Sequence, residues 1–268
     1  IDLCVNENLD AIKMGDGLLG LHASMTLSDD TLKKCSNVVH DTPIHIHAAE
    51  SMEDEEHALN HYGIRVVERL DRYQLLNRNS ILAHCVNINE SEAEIIYGRE
   101  CIVALNPSSN MNNAVGLFDY DLFRRNSINL VAGTDGLGAN VAKEWQNIYY
   151  IGKQAMNKPS GIGPDEIRYH IAKSYELFNQ MNNKKIGRIL EGYDADLLLI
   201  DYEPPTPMDE ENAFGHVLFG IFDNLRPRDV FIEGEYKIKD YYSKVAFDIN
   251  HELVNKLWKR IGGHQLET

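Results

Sequence analysis

Short apolar, β-favouring runs recur along the first half of the chain, and each ends in a polar residue able to do chemistry. GLLGLHA (Gly17 to Ala23), PIHIHAAES (Pro43 to Ser51), ILAHCVN (Ile81 to Asn87), CIVALNP (Cys101 to Pro107) and LVAGTDGLGAN (Leu130 to Asn140) are the clearest. Between them lie segments of helical spacing: SDDTLKKCS with Ser28 at its cap, MEDEEHALNHYG, IRVVERLDRYQLL, and NESEAEIIYGRE opened by Asn89 or Ser91. Residues 6–15 read as the end of a helix and DLFRRN as a short one. Longer helices are expected at roughly 141–156 and 165–180, the second entered through Gly163-Pro164-Asp165.

Strand and helix alternate at least four times, which points to a parallel sheet of βα units. The strand-end residues are spaced to match: 25 residues from His22 to His47, 37 on to His84, 22 to Asn106 and 29 to Asp135. A (β/α)8 barrel of about 250 residues has units of roughly 30 and keeps its reactive residues at the C-terminal strand ends. The expected fold class is α/β, with five successive units of a TIM-type barrel. After residue 186 the texture changes. KKIGRILEGYDADLLLIDYEP and RPRDVFIEGEYKIKD give short β-runs broken by Gly, Asp and Pro, with Gly234 at a hairpin turn. A helix should close the chain, with Asp248 or Asn250 near its start. The expected division is a barrel portion over 1–186 and, over 187–268, a small C-terminal β appendage plus that helix.

Composition narrows the function. The formal net charge of −15 would repel nucleic acid and anionic membrane, so neither is an expected partner. No apolar run approaches the roughly 18 residues of a membrane span, and the start IDLCVNENLD shows no signal-peptide pattern. Cys4, Cys35, Cys85 and Cys101 form no CxxC pair and read as reduced, mostly buried thiols of a cytoplasmic protein. The H-x-E with P-C-x-x-C of nucleoside deaminases is absent, as is G-x-S-x-G. GTDGLGAN is not a G-x-G-x-x-G in a βαβ setting.

The order HIHAAE, AHC, NPSSN, GTDG and GRILEGYDADLLLID resembles the amidohydrolase superfamily. Within it the chain is most similar to the cyclic-amidine deaminase and chlorohydrolase branch, in particular the SsnA-like aminohydrolases. The resemblance covers nearly the whole chain. It implies strands four to eight of the barrel, with one divalent metal ion, Zn²⁺ ahead of Fe²⁺. His47 would be the metal ligand ending strand five and Asp135 the ligand ending strand eight. Glu50 would shuttle protons and contact substrate. His84, ending strand six, would polarise the substrate or the attacking water, and His22, ending strand four, would contact the substrate. GLLGLHASMT offers no bridging Lys or Glu, which favours one metal over two. A metal lowers the pKa of its water to about 7, Asp135 can take that proton, and Glu50 can pass one to a ring nitrogen. The implied partner is a small heterocyclic substrate, purine-like or pyrimidine-like, from which an amine is hydrolysed. Dechlorination and ring opening are alternatives on the same machinery, and a homo-oligomer is left open.

The family's first two ligands form an HxH pair ending strand one. His45 and His47 could be that pair, but 88 residues from His47 to Asp135 make about three units where seven are needed. Strands one to three are therefore expected to lie outside this sequence. Two protein ligands fall short of the three that catalytic zinc sites use. The competing expectation is thus an inactive or partner-dependent chain whose open sheet edges invite association. Bland readings stand beside each residue: Glu50 as the start of an acidic helix, Asp135 as a turn aspartate, and His45 as a packed neighbour. NPSSN reads as loop-shaping, and Cys85 as core. His40, His57, His61, His170, His216, His251 and His264 have no supporting pattern and read as structural.

Overall fold

The computed structural model describes residues 2–14, 17–39, 42–244 and 250–261. Two compact units form, one of residues 1–193 and 202–225, the other of residues 194–201 and 226–268. In the first, strands β1 (Leu19–Ala23), β2 (Ile44–Ala48), β3 (Ile81–His84), β4 (Ile102–Leu105) and β5 (Asn129–Ala132) pair in parallel and in sequential order. Helix α1 (Asp2–Met14) precedes β1 and α2 (Asp29–Val39) follows it. Helices α3 (Met52–Tyr62) and α4 (Val66–Arg72) link β2 to β3, and α5 (Glu90–Gly98) links β3 to β4. Helices α6 (Pro107–Asn113) and α7 (Tyr120–Arg125) link β4 to β5, after which come α8 (Val141–Met156) and α9 (Pro164–Asn182).

Local chemistry sets these boundaries. Asn89 accepts from the Glu92 amide while Glu92 accepts from the Asn89 amide, a closed capping box at the start of α5. Ser28 accepts from the Thr31 amide ahead of α2, and Asn140 from Lys143 at α8. Pro164 begins α9, where its missing N–H costs nothing. One expectation fails: Pro107 ends β4, but the stretch it opens is helix α6, with Pro at the first helical position, and not a loop.

Strand alternation sorts the sheet into two faces. Ile44, Ile46, Ala48, Leu82, Val103, Leu105 and Leu130 join one hydrophobic cluster with the helices. His45, His47, Ile81, Ala83, Ile102 and Ala104 occupy the opposite face, as the register His45↔Ile81 and His47↔Ala83 requires.

The segment 202–225 belongs to the first unit, where the sequence places it with the appendage. It contains α10 (Ala213–His216) and a wide-pitched turn over Val217–Ile221. Gln146 on α8 donates to the Leu218 carbonyl at 2.8 Å, and Phe219 meets Tyr149 edge-on. The second unit is an antiparallel sheet of β6 (Leu197–Leu199), β7 (Asp229–Ile232), β8 (Glu235–Lys239) and β9 (Tyr242–Ser243). Glu233 and Gly234 turn β7 into β8 with φ of 52° and 78°, the left-handed pair of a tight hairpin. Asn250 caps α11 (His251–Arg260) by accepting from the Leu253 amide. Asp248, the alternative cap, and His40 and His264 lie outside the described residues. Among the described residues no helix is long and apolar enough to cross a membrane.

A buried ionic knot ties α3, α4 and α5 together. The first amides of α4 have no helical partner of their own: Val66 donates to Glu55 and Val67 to Glu92. Arg65 lies between the two carboxylates, 2.6 Å from Glu92 and 3.4 Å from Glu55. Burial, reinforced by the Glu92 charge, pushes Glu55 up to about 8. An acid raised in this way keeps its proton in the native state after the unfolded chain has lost it. Its contribution to stability is full below its ordinary 4.5 and is lost as pH rises to about 8. Glu55→Gln should remove this loss. Urea midpoints of the two proteins should coincide near pH 4 and separate by pH 8.5 with the variant ahead; parallel curves would refute it.

Candidate active site

The strand-end residues converge at the C-terminal edge of the first unit's sheet. His47 and His84 stack with ring centroids 5.5 Å apart, and His22 meets His47 edge-on at the same distance. His84 Nε2 lies 3.7 Å from Glu50 Oε2 and 3.8 Å from Asp135 Oδ2. The histidine is fully buried, whereas the two carboxylates remain partly open. A cavity of about 150 Å³ adjoins them, lined by His22, Met25, His47, Glu50 and Asp54 among others. A larger cleft of about 850 Å³ lies at the opposite end of the strands, around Leu18, Pro43 and Ile102, away from this chemistry.

Backbone conformation aims the side chains. Ala49, His84, Cys85 and Asp135 all have φ between 49° and 74°, the left-handed region that costs about 1–3 kcal/mol for a residue other than glycine. His84 shows why. It pairs with Ala48 and alternates with Leu82, so strict period two would turn it outward among the helices. At φ 74° its ring stands instead between Glu50 and Asp135, and Cys85 enters the hydrophobic cluster. Ala49 is held in turn by Asp54, whose Oδ2 accepts the Ala49 amide at 2.9 Å.

Two histidines have their tautomers fixed by acceptors. His47 Nδ1 lies 2.6 Å from the His22 carbonyl, which can only accept, so Nδ1 carries the proton and Nε2 a lone pair. Thr26 spends its hydroxyl proton on the Ala23 carbonyl, so His22 Nδ1 donates to Thr26 Oγ1 at 2.9 Å. Ser109 donates to Asp135 Oδ2 at 2.7 Å, and the Gly136 amide to Oδ1. The Ser109 bond first, then that amide and the nearby His84 and His47, hold the Asp135 carboxyl below the usual range. His45 is exposed on the same face as His47 and makes no hydrogen bond among those described.

Helix α6 supplies what sequence reasoning missed. Asn106, Ser109, Asn110 and Asn113 fall at i, i+3, i+4 and i+7 and form one helical stripe. Asn110 Oδ1 lies 2.8 Å from His84 Nδ1, and Asn113 donates to Glu50 Oε1 at 3.2 Å. The stretch was legible as a polar stripe of helical period, a signal hidden by reading NPSSN as a loop. Three of the histidines without a pattern are bonded elsewhere: His170 to Tyr120, His216 to Tyr202, and His61 to the His57 carbonyl.

His47 Nε2 and the Asp135 carboxylate suit two ligands of one divalent ion, an imidazole oriented from behind and an ionised carboxylate. Among the described residues no group of three or more His, Cys, Asp or Glu is spaced to hold one. The donor set fits a metal in part and does not enclose it.

A parallel βα sheet with ionisable residues gathered at its C-terminal strand ends is the arrangement of a (β/α)8-barrel active edge. The sequence profile of the amidohydrolase family matches residues 7–237, and the chain belongs to that family. It is 30% identical over 232 residues to 5'-deoxyadenosine deaminase of Methanococcus vannielii, covering 84% of this chain and 54% of that protein. Against 5-methylthioadenosine/S-adenosylhomocysteine deaminase of Syntrophobacter fumaroxidans it is 28% identical over 204 residues, 74% of this chain and 46% of the other. Its fold matches an adenosine deaminase of Xanthomonas campestris solved with bound zinc: TM-score 0.78 at 22% identity, over 96% of this chain and 60% of the other. The chain spans about half the length of the curated relatives it matches. The five parallel strands of its first unit are a partial barrel.

Gly133, after β5, packs directly on the Asn106 side chain, and a Cβ there would overlap its oxygen. Gly136 has open space around it. Gly133→Ala should cost about 1–3 kcal/mol by overpacking, while Gly136→Ala should be nearly neutral. Equal melting temperatures for the two variants would contradict this packing.

Proposed function

We propose that the protein is a metal-dependent aminohydrolase that replaces the amino group of a purine-like or pyrimidine-like ring with oxygen, releasing ammonia. The observation that carries this reading is the convergence of Glu50 and Asp135 within 4 Å of one buried imidazole nitrogen, that of His84. The 5'-deoxyadenosine and methylthioadenosine deaminases among its relatives favour an aminopurine nucleoside as substrate.

His47 and Asp135 would hold the ion together with ligands beyond the described residues. A divalent ion held there, Zn²⁺ ahead of Fe²⁺, would supply Lewis acidity that makes water a competent nucleophile near neutral pH. Asp135, ionised and braced by Ser109, accepts a proton from the attacking water. Glu50, steadied by Asn113, passes a proton to the ring nitrogen beside the carbon under attack. His84 stands between them at the point where charge develops. His22, at the mouth of the small cavity, contacts the substrate. The leaving amine takes the proton that Asp135 drew from the water and departs as ammonia, and the added hydroxyl returns a proton to Glu50 as the ring carbonyl forms, so that water and amine are exchanged in balance. The buried free Cys35, Cys85 and Cys101 fit a reducing compartment, in keeping with a cytoplasmic enzyme.

The test compares ammonia release and metal content of this 268-residue chain with those of a longer polypeptide encoded by the same gene region, across aminopurine and aminopyrimidine nucleosides. The longer polypeptide should bind one equivalent of metal and turn over; the shorter should do neither at a comparable rate. Within the active form, Glu50→Gln and Asp135→Asn should each lower kcat by about 10²–10⁴. An active form indifferent to both changes would remove the assigned roles, and a 268-residue chain that turns over alone would remove the need for outside ligands.

A further inference from the structure

The sequence pattern gives His57 and His61 no role, but α3 carries them at i and i+4, one above the other on a single helical face. We propose that this pair is a surface site for a divalent transition-metal ion, held by the Nε2 atoms of both imidazoles and separate from the site at the strand ends. It stands independently of the aminohydrolase reading.

Two histidines four residues apart are the spacing with which a helix presents two nitrogens to one ion. The rings are already together, with centroids 4.1 Å apart and 23° between their planes. A small rotation about χ2 turns both toward a shared ion. The nitrogens can then be assigned one by one. His61 Nδ1 lies 2.9 Å from the His57 carbonyl, which can only accept, so Nδ1 carries the proton and Nε2 keeps its lone pair. A backbone carbonyl behind the ring is a common orienting partner of a metal-bound histidine. His57 Nδ1 is shut off from solvent and has no hydrogen-bond partner, so Nε2 is the atom that ring can offer to an ion arriving from water.

The surroundings allow a cation. Glu53, one turn before His57 on α3, adds negative charge to the face. The Arg69 guanidinium lies 3.5 Å from the centre of the Tyr62 ring, which meets both histidines, but Asp29 answers that charge at 2.8 Å. Neither histidine lines the small cavity beside His47 and Glu50. The described residues add no third His, Cys, Asp or Glu in place, so water fills the remaining positions and the ion exchanges readily. Imidazole nitrogens select borderline ions such as Ni²⁺, Cu²⁺ and Zn²⁺ over Mg²⁺ and Ca²⁺.

Calorimetric titration of the chelator-treated 268-residue chain with Ni²⁺, and with Mg²⁺ for comparison, tests the site. His61 is exposed, so His61→Ala should fold as the parent does. One Ni²⁺ binding event should weaken in it by at least the roughly 10–100-fold that loss of an orienting partner costs, and the same event should weaken in His57→Ala. His47→Ala should leave that event in place. Superimposable Ni²⁺ isotherms for the parent and His61→Ala overturn the proposal, whether or not His57→Ala folds. So does Ni²⁺ binding that disappears with His47→Ala alone, or a His61-dependent event that takes Mg²⁺ as tightly as Ni²⁺.

Discussion

Sequential parallel pairing governs the first unit. When each strand lies beside the next one in the chain and all run the same way, every C-terminal end falls on the same edge. Residues separated by 20 to 40 positions then become neighbours without any loop designed to join them. His47 and His84 stack because β2 and β3 pair in register, and Asp135 comes within reach of His84 from β5, two strands further along. The chemistry of the edge follows from the topology, and the topology follows from helices long enough to return each strand to the same starting side.

Much of this was legible in the residues. Apolar runs ending in His47, His84, Asn106 and Asp135 at near-barrel spacing define strands and their reactive ends together, because period two and unit length are both written in the sequence. Face assignment was not. Alternation alone sends His84 outward with Leu82, and only the left-handed turn at its own Cα brings it to the site. A positive φ at histidine leaves no mark in a one-dimensional pattern. The α6 stripe escaped for another reason: serine and asparagine favour loops by propensity, and their helical period has meaning only once there are partners for the polar face. The segment 202–225 was likewise placed with the appendage, since nothing in its pattern shows that Leu218 and Phe219 find their partners on α8.

The site and the outer helices draw on the same polar economy. Glu92 closes the cap of α5, receives the second amide of α4 and pairs with Arg65, so one carboxylate fastens two helices. Asp54, one residue before Glu55 on α3, holds the Ala49 amide next to Glu50. The ionic knot behind the sheet and the proton-carrying carboxylate in front of it are thus fastened through adjacent positions of a single helix. Changes in either should be felt by the other and should not add independently.

The left-handed residues that close β2, β3 and β5 carry a further meaning. Each stores conformational energy that a more relaxed backbone would release, and the surrounding packing keeps it stored. A population of variants selected only for heat resistance would find easy gains there, through glycine or through strand ends that straighten. Such proteins would melt later and aim their histidine and aspartate less well. In this fold the durability of the scaffold and the sharpness of its rim pull the same few dihedral angles in opposite directions.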